Sequence, residues 1–153
     1  MRNQRRLMIE QLDRKLLSFR EASEINIPDK GWINGIRNTL NMTLEQFGKK
    51  LGITRQGARR IETSEASGTI SVNLLKESGK VLGMRFVYGF VPLQGSIGAL
   101  IDQKANELAK QIVLRTNQTM MLENQATGKE NIERAITELA SEYKKEMTRS
   151  LWD

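Results

Sequence analysis

Residues 43–62 read TLEQFGKKLGITRQGARRIE, and their punctuation predicts two short helices joined by a tight turn. Thr43 is placed to cap the first helix, and Gln46 three residues on completes a capping box in which each side chain satisfies an otherwise orphan backbone donor. Leu44, Phe47 and Leu51 fall at helical spacing and make one inward apolar stripe. Gly52 follows, where a helix end needs a residue free to take positive φ. Thr54 is placed to cap the second helix, in which Ala58 and Ile61 face inward while Arg55, Gln56, Arg59 and Arg60 are left outside. Arginine pairs bidentately with guanine O6 and N7, and glutamine with adenine N6 and N7, so this face is able to read a major groove. The solvated side of a small helical bundle would carry similar residues. Cap, turn glycine, second cap and basic face in this order point instead to double-stranded DNA, with Thr43, Thr54, Arg55, Gln56, Arg59 and Arg60 as candidate contacts.

Toward the N-terminus, residues 4–19 place Met8, Leu12, Leu16 and Phe19 on one stripe against Arg5, Arg6, Arg14 and Lys15, a basic amphipathic helix that either packs on another helix or lies on a DNA backbone. Pro28 and the pair Lys30-Gly31 make residues 20–31 a linker. Trp32, Ile33, Ile36 and Leu40 then form the helix that precedes the quoted stretch. Beyond it, residues 63–70 read as a loop, and Ser71 caps a helix bearing Leu74, Leu75, Val81 and Leu82 that Gly83 stops. The run MRFVYGFVP, 84–92, is dense in aromatic and β-branched residues and predicts a strand over 85–91. A lone strand leaves its backbone unpaired, so it needs a partner: the same strand of a second subunit, or internally the short stretch Ile25 to Ile27.

From Ser96 a long helix carries Ile97, Ile101, Ala105, Leu108, Ile112 and Thr116 along one stripe, with Leu100 and Val113 beside it, and is expected to run to about Leu122. Thr127 and Glu130 are spaced as a capping box for a last helix with the stripe Ile132, Ile136, Leu139, Tyr143 and Met147. The expected organisation is an N-terminal helix and linker (1–30), a DNA-binding domain (31–83), a dimerisation strand (84–92) and a C-terminal helical hairpin (93–153). The hairpin has Met120 and Met121 at its tip, where adaptable side chains suit a partner surface.

The composition narrows the chemistry. A chain of 153 residues with 39% hydrophobic content can build a core, and its net charge of +6 favours an anionic partner. Cysteine and histidine are both absent, which removes disulfides, the common zinc sites, thiol nucleophiles and imidazole bases, and makes a reducing cytoplasm the simplest home. No metal or cofactor is expected, and no apolar run approaches membrane-spanning length. The carboxylates Glu62 and Glu65 read as helix-end and loop charges rather than as catalytic groups.

Residues 31–83 resemble the Xre-type helix-turn-helix family, the class of phage Cro and repressor proteins, through Thr43, Leu44, Phe47, Leu51, Gly52, Thr54, Gln56, Ile61 and Glu62. The resemblance implies a mainly α fold with five helices around one core, a homodimer, and base contacts from Arg55, Gln56 and Arg60, with Arg59 on a base or phosphate. Gly48 and Gly57 depart from the alanine and the serine or larger residue usual in that family. Gly57 costs helix stability by about 1 kcal/mol relative to alanine.

The opening MIEQLDRKL, the block GWINGIRNTLNMTLEQFGKKLGI, the segment ending in YGFVP, the ENQA segment and the terminal LWD are similar to the bacterial family called mobile mystery protein A, whose members are encoded beside a Fic-domain protein. Thr119-Met120-Met121-Leu122-Glu123-Asn124 fits, once in the chain, the pattern Ser/Thr, three residues, Glu, Gly/Asn, which resembles the inhibitory helix of antitoxins that silence Fic AMP-transferases. By that resemblance Glu123 would pair with an arginine of the toxin's ATP site and occupy the place of the γ-phosphate, since a fixed guanidinium holds one anion well. Thr119 lies one helical turn earlier on the same face, and Asn124 would end the helix. A plain helix C-terminus accommodates the same string. The expectation is a non-enzymatic antitoxin of a cytoplasmic, nucleoid-associated Fic-type pair that represses its own promoter. An ordinary Xre-type dimeric repressor, or an antitoxin acting on another toxin class by surface contacts, are the alternatives.

Overall fold

The computed structural model describes residues 2–116 and 125–153, and the chain is mainly helical. Its α-helices are α1 (Arg2–Leu16), α2 (Trp32–Thr39), α3 (Leu44–Leu51), α4 (Arg55–Ser67), α5 (Val72–Val81), α6 (Ile97–Thr116) and α7 (Gln125–Glu146), with short 3₁₀ turns at Leu17–Phe19, Glu21–Glu24 and Arg149–Trp152. None of the described helices is long and apolar enough to cross a membrane. The chain divides into two compact units, Glu24–Gly89 and a second made of Met1–Ser23 with Phe90–Asp153.

In the unit Glu24–Gly89, Ile33, Phe47, Ala58, Ile61 and Leu82 form the core, with Ile36, Leu44, Leu51, Leu74, Leu75 and Val81 packed around it. The helix boundaries follow the local chemistry. Thr43 Oγ1 accepts from the Gln46 amide at 3.1 Å while Gln46 Oε1 accepts from the Thr43 amide at 2.9 Å, so both halves of the capping box form. Gly52 closes α3 at φ 73°, Thr54 caps α4 by accepting from the Gly57 amide at 3.0 Å, and Ser71 caps α5 by accepting from Leu74 at 3.1 Å. Gly48 has its own cause: a Cβ there would lie 2.8 Å from the Thr54 carbonyl oxygen and 3.0 Å from that of Ile53, so the α3–α4 turn is packed onto a bare backbone.

Three expectations for this unit are corrected. Four helices share this core, not five, because α1 places its Ile9 in the core of the other unit. Helix α4 continues to Ser67 and stops at Gly68 (φ 81°), since residues 63–67 contain no glycine or proline to break it, so the expected loop begins five residues later. Glu62 and Glu65 are not idle charges. Glu62 is 7% exposed and receives Arg37 Nε at 2.6 Å, Arg37 Nη2 at 3.2 Å and Asn34 Nδ2 at 2.7 Å. Glu65 Oε2 and Oε1 accept the amides of Trp32 and Ile33, both at 2.8 Å. Gly31, at the N-cap of α2, has no side chain to do this and stands at φ 88°; a Cβ there would meet the Glu65 carboxylate at 2.8 Å. A carboxylate at this position satisfies two orphan donors and complements the positive helix end.

The second unit is built on Ile101, Ala105, Ala109, Ala140 and Leu151, with Ile9, Ile97, Leu108, Ile136, Leu139, Tyr143 and Met147 around them. The α6 face that becomes buried runs Ile101, Ala105, Ala109, Val113, and Ile112 of the expected stripe stays 39% exposed. Small residues at 105, 109 and 140 leave room for close helix approach. Asp13 of α1 caps α6 from a distance, accepting the amides of Ile97 at 2.7 Å and Gly98 at 3.2 Å. This fixes the rotation of α1: Ile9 and Asp13 turn inward, and Met8 and Leu12 of the expected stripe are 65% and 46% exposed. Helix α7 begins at Gln125, two residues before the expected cap.

The strand expected over 85–91 is absent from the single chain. Ile25 to Ile27 does not pair with it, and no backbone group of residues 85–91 makes a backbone hydrogen bond among the described residues. A ladder needs a second strand, and the described residues supply none there.

Candidate nucleic-acid interface

Helix α4 carries three arginines and two glutamates, a nearly balanced helix in sequence, and tertiary structure sorts these charges by face. Ala58, Ile61, Glu62 and Glu65 recur at i, i+3, i+4 and i+7 and turn inward. Glu62 is paired with Arg37, and Glu65 accepts two hydrogen bonds from the α2 N-terminus. The opposite face keeps Arg55, Gln56, Arg59, Arg60, Thr63 and Ser67, all exposed. None of Arg55, Arg59 and Arg60 has a carboxylate partner among the described residues. The result is a helix face with cationic and hydrogen-bonding groups and no anion, the charge pattern of a phosphate- and base-contacting surface.

An open groove of about 440 Å³ runs along this face, lined by Gln56, Arg59, Arg60, Thr63, Ser64, Ser67 and Thr69. Four of the six expected DNA-contact residues, Arg55, Gln56, Arg59 and Arg60, therefore share one exposed surface, and three of them line the groove. Thr43 and Thr54 sit one at the start of each helix of the pair. Each hydroxyl oxygen is used as a cap acceptor, which leaves its O–H able to donate to a phosphate oxygen but removes it from base reading.

Thr63, Ser67 and Thr69 extend the surface beyond the residues expected from sequence. Their signal was present: no breaker separates Glu62 from Gly68, so continuing the helix by one more turn puts Thr63 and Ser67 in line with Arg59 and Arg60. Gly57 lies between Arg55 and Arg59, and the nearest atoms a Cβ there would meet belong to the Ile53 and Thr54 side chains, at 3.3 and 3.4 Å. The backbone therefore does not demand glycine at this position.

Thr119, Glu123 and Asn124, the expected toxin-inhibitory residues, lie outside the described residues, between α6 and α7. Among the described residues no group of acidic side chains is arranged to hold a metal ion. No family model, no curated protein and no solved structure matches the chain.

Proposed function

We propose that the unit Glu24–Gly89 is an Xre-type helix-turn-helix module that binds double-stranded DNA sequence-specifically, with α4 as the reading helix, and that the protein acts in the cytoplasm as a dimeric repressor of its own promoter. The observation that carries this reading is the segregation of charge on α4. Both glutamates are taken up in structural roles, Glu62 buried against Arg37 and Glu65 half-buried on the α2 amides, and the three arginines with Gln56 form one unopposed outer face. Arg55, Gln56 and Arg60 are assigned to base edges, Arg59 to a base or phosphate, and Thr43 and Thr54 to phosphates.

The test is fluorescence anisotropy with duplexes from the DNA upstream of the coding sequence. Arg60→Ala weakens binding by about 1–3 kcal/mol and relaxes preference at one base pair, as expected when a bidentate base contact is removed. Arg59→Ala, if its partner is a phosphate, weakens all sequences alike and lowers the salt dependence of log K by about one unit. Unchanged affinity and preference for both variants would remove α4 as the reader.

The second part of the proposal concerns the segment between α6 and α7. The Ser/Thr-x-x-x-Glu-Gly/Asn string at Thr119–Asn124 favours a role as antitoxin to a Fic-type AMP-transferase, with Glu123 competing for the arginine that holds the ATP γ-phosphate. In this reading the protein is not itself an enzyme. Co-expression of the neighbouring reading frame with the native chain suppresses AMP transfer to cellular proteins, and Glu123→Gly releases it. Equal restraint by both chains would leave an ordinary repressor, in which the second unit serves only assembly.

A further inference from the structure

The chain from Met84 to Pro92 is the most apolar exposed stretch among the described residues. Val87 is 61% exposed, Tyr88 60%, Phe90 81% and Met84 47%, and Leu93 just beyond is 99% exposed. Among the described residues, none of 85–91 makes a backbone hydrogen bond, and of their side chains only Phe86 and Val91 are half-buried. Phe86 and Tyr88 stack with ring centroids 5.9 Å apart and planes at 19°, which sets residues two apart on one side, as in a strand. Polar backbone and large apolar side chains exposed together in one segment are the features of an edge awaiting another strand.

We propose that residues 84–92 pair antiparallel with the same residues of a second copy of this chain. Self-pairing follows from the segment's own pattern. A twofold axis normal to such a ribbon brings residues of equal parity opposite one another, and the even positions here are Met84, Phe86, Tyr88, Phe90 and Pro92. Centred on Tyr88, the axis sets Tyr88 against Tyr88 and Phe86 against Phe90, so that every aromatic faces an aromatic, a favourable cross-strand arrangement. A centre on Phe86 would draw Leu82, 5% exposed in the core, into the ladder. The limits of the ribbon match: Gly83 turns the chain out of α5 at φ 75°, and Pro92, which lacks an amide proton, ends it.

Charge selects the orientation. Arg85 is the segment's one charged residue. Parallel pairing in register would place it against its own copy, whereas the antiparallel ribbon puts it opposite Val91 and holds the two arginines about 20 Å apart at ~3.4 Å per residue. On the even face Met84, Tyr88 and Phe90 expose on the order of 400 Å² per chain, at ~150–250 Å² for a whole aromatic side chain, about half of the ~800 Å² that each partner of a standard interface contributes.

This chain has no cysteine, so the register is directly testable in it. Tyr88→Cys places the two sulfurs at the axis, where directly opposed residues have Cα atoms about 4.5–5.5 Å apart, within disulfide range. Arg85→Cys serves as the off-register control. In sedimentation at micromolar concentration the native chain is dimeric, and Phe90→Asp weakens the dimer at least tenfold with an unchanged far-ultraviolet circular dichroism spectrum. Under mild oxidation Tyr88→Cys becomes a covalent dimer on non-reducing gels, and Arg85→Cys does so at less than a tenth of that extent. A monomeric native chain, equal cross-linking at 85 and 88, or a dimer indifferent to Phe90→Asp would each overturn the pairing. The pairing does not depend on DNA binding: loss of the anisotropy signal with the Tyr88→Cys cross-link intact would sink the DNA reading alone.

Discussion

Replacing Glu62 by alanine lowers the stability of the Glu24–Gly89 unit by about 3–5 kcal/mol, the cost of leaving one member of a buried ion pair without its partner. The Arg37 and Glu62 side chains are 10% and 8% exposed, with Nε and Oε2 2.6 Å apart. The guanidinium is committed on three nitrogens, to both carboxylate oxygens and, through Nη1, to the Met42 carbonyl at 2.7 Å. Alanine at 62 keeps the Met42 contact and strands the rest of the charge. It also releases Asn34, whose Nδ2 donates to Glu62. The pair ties α2 and the turn before α3 to the middle of α4, so its loss loosens the helix assigned to read DNA.

Guanidinium unfolding measures the effect. A Trp152→Phe background leaves Trp32, at the start of α2, as the single tryptophan. The double change Arg37→Met with Glu62→Leu recovers most of the loss, because the penalty lies in the unpaired charge rather than in the missing attraction. A loss below about 1 kcal/mol for Glu62→Ala would mean that the pair is solvated in solution.

Phe47→Ala is expected to cost a similar ~3–5 kcal/mol, by lost burial and by the cavity left behind. Phe47 is fully buried in the core that Ile33, Ala58, Ile61 and Leu82 complete. Its position on α3 makes it the side chain that seats the first helix of the pair against the second. Phe47→Leu, which keeps most of the volume, costs less than half as much, and Met8→Ala on the exposed face of α1 changes stability within about 0.5 kcal/mol. Guanidinium unfolding followed by far-ultraviolet circular dichroism, which reports on both units, ranks the three. If Phe47→Ala and Met8→Ala proved alike, the core would not be centred where the structure puts it.

The parts of the fold that were legible in the sequence are those encoded within about one helical turn. The Thr43–Gln46 box, the left-handed Gly52, the Thr54 cap and the Ser71 cap all form where the residues predict, because each depends on a donor and acceptor only three or four residues apart. The basic outer residues of α4 were legible for the same reason, since Ala58 and Ile61 set its inward face. Less was legible where the deciding partner is distant. The roles of Glu62 and Glu65 depend on residues 25 to 33 positions away. The buried face of α1 depends on Asp13 reaching α6, 84 positions on. The strand expected at 85–91 finds no partner among the described residues.

By itself, then, the sequence determined a helical chain, the punctuation of its central helix pair, and a set of arginines able to contact a nucleic acid. Only the tertiary structure decided that those arginines stand on a face without acids. A helix periodicity identifies which residues share a side, but whether a glutamate on that side is solvated or buried depends on whether another helix brings it a cation or a free amide. That partner is chosen by packing, and Arg37 and the α2 N-terminus are in place only once the core around Phe47 has closed.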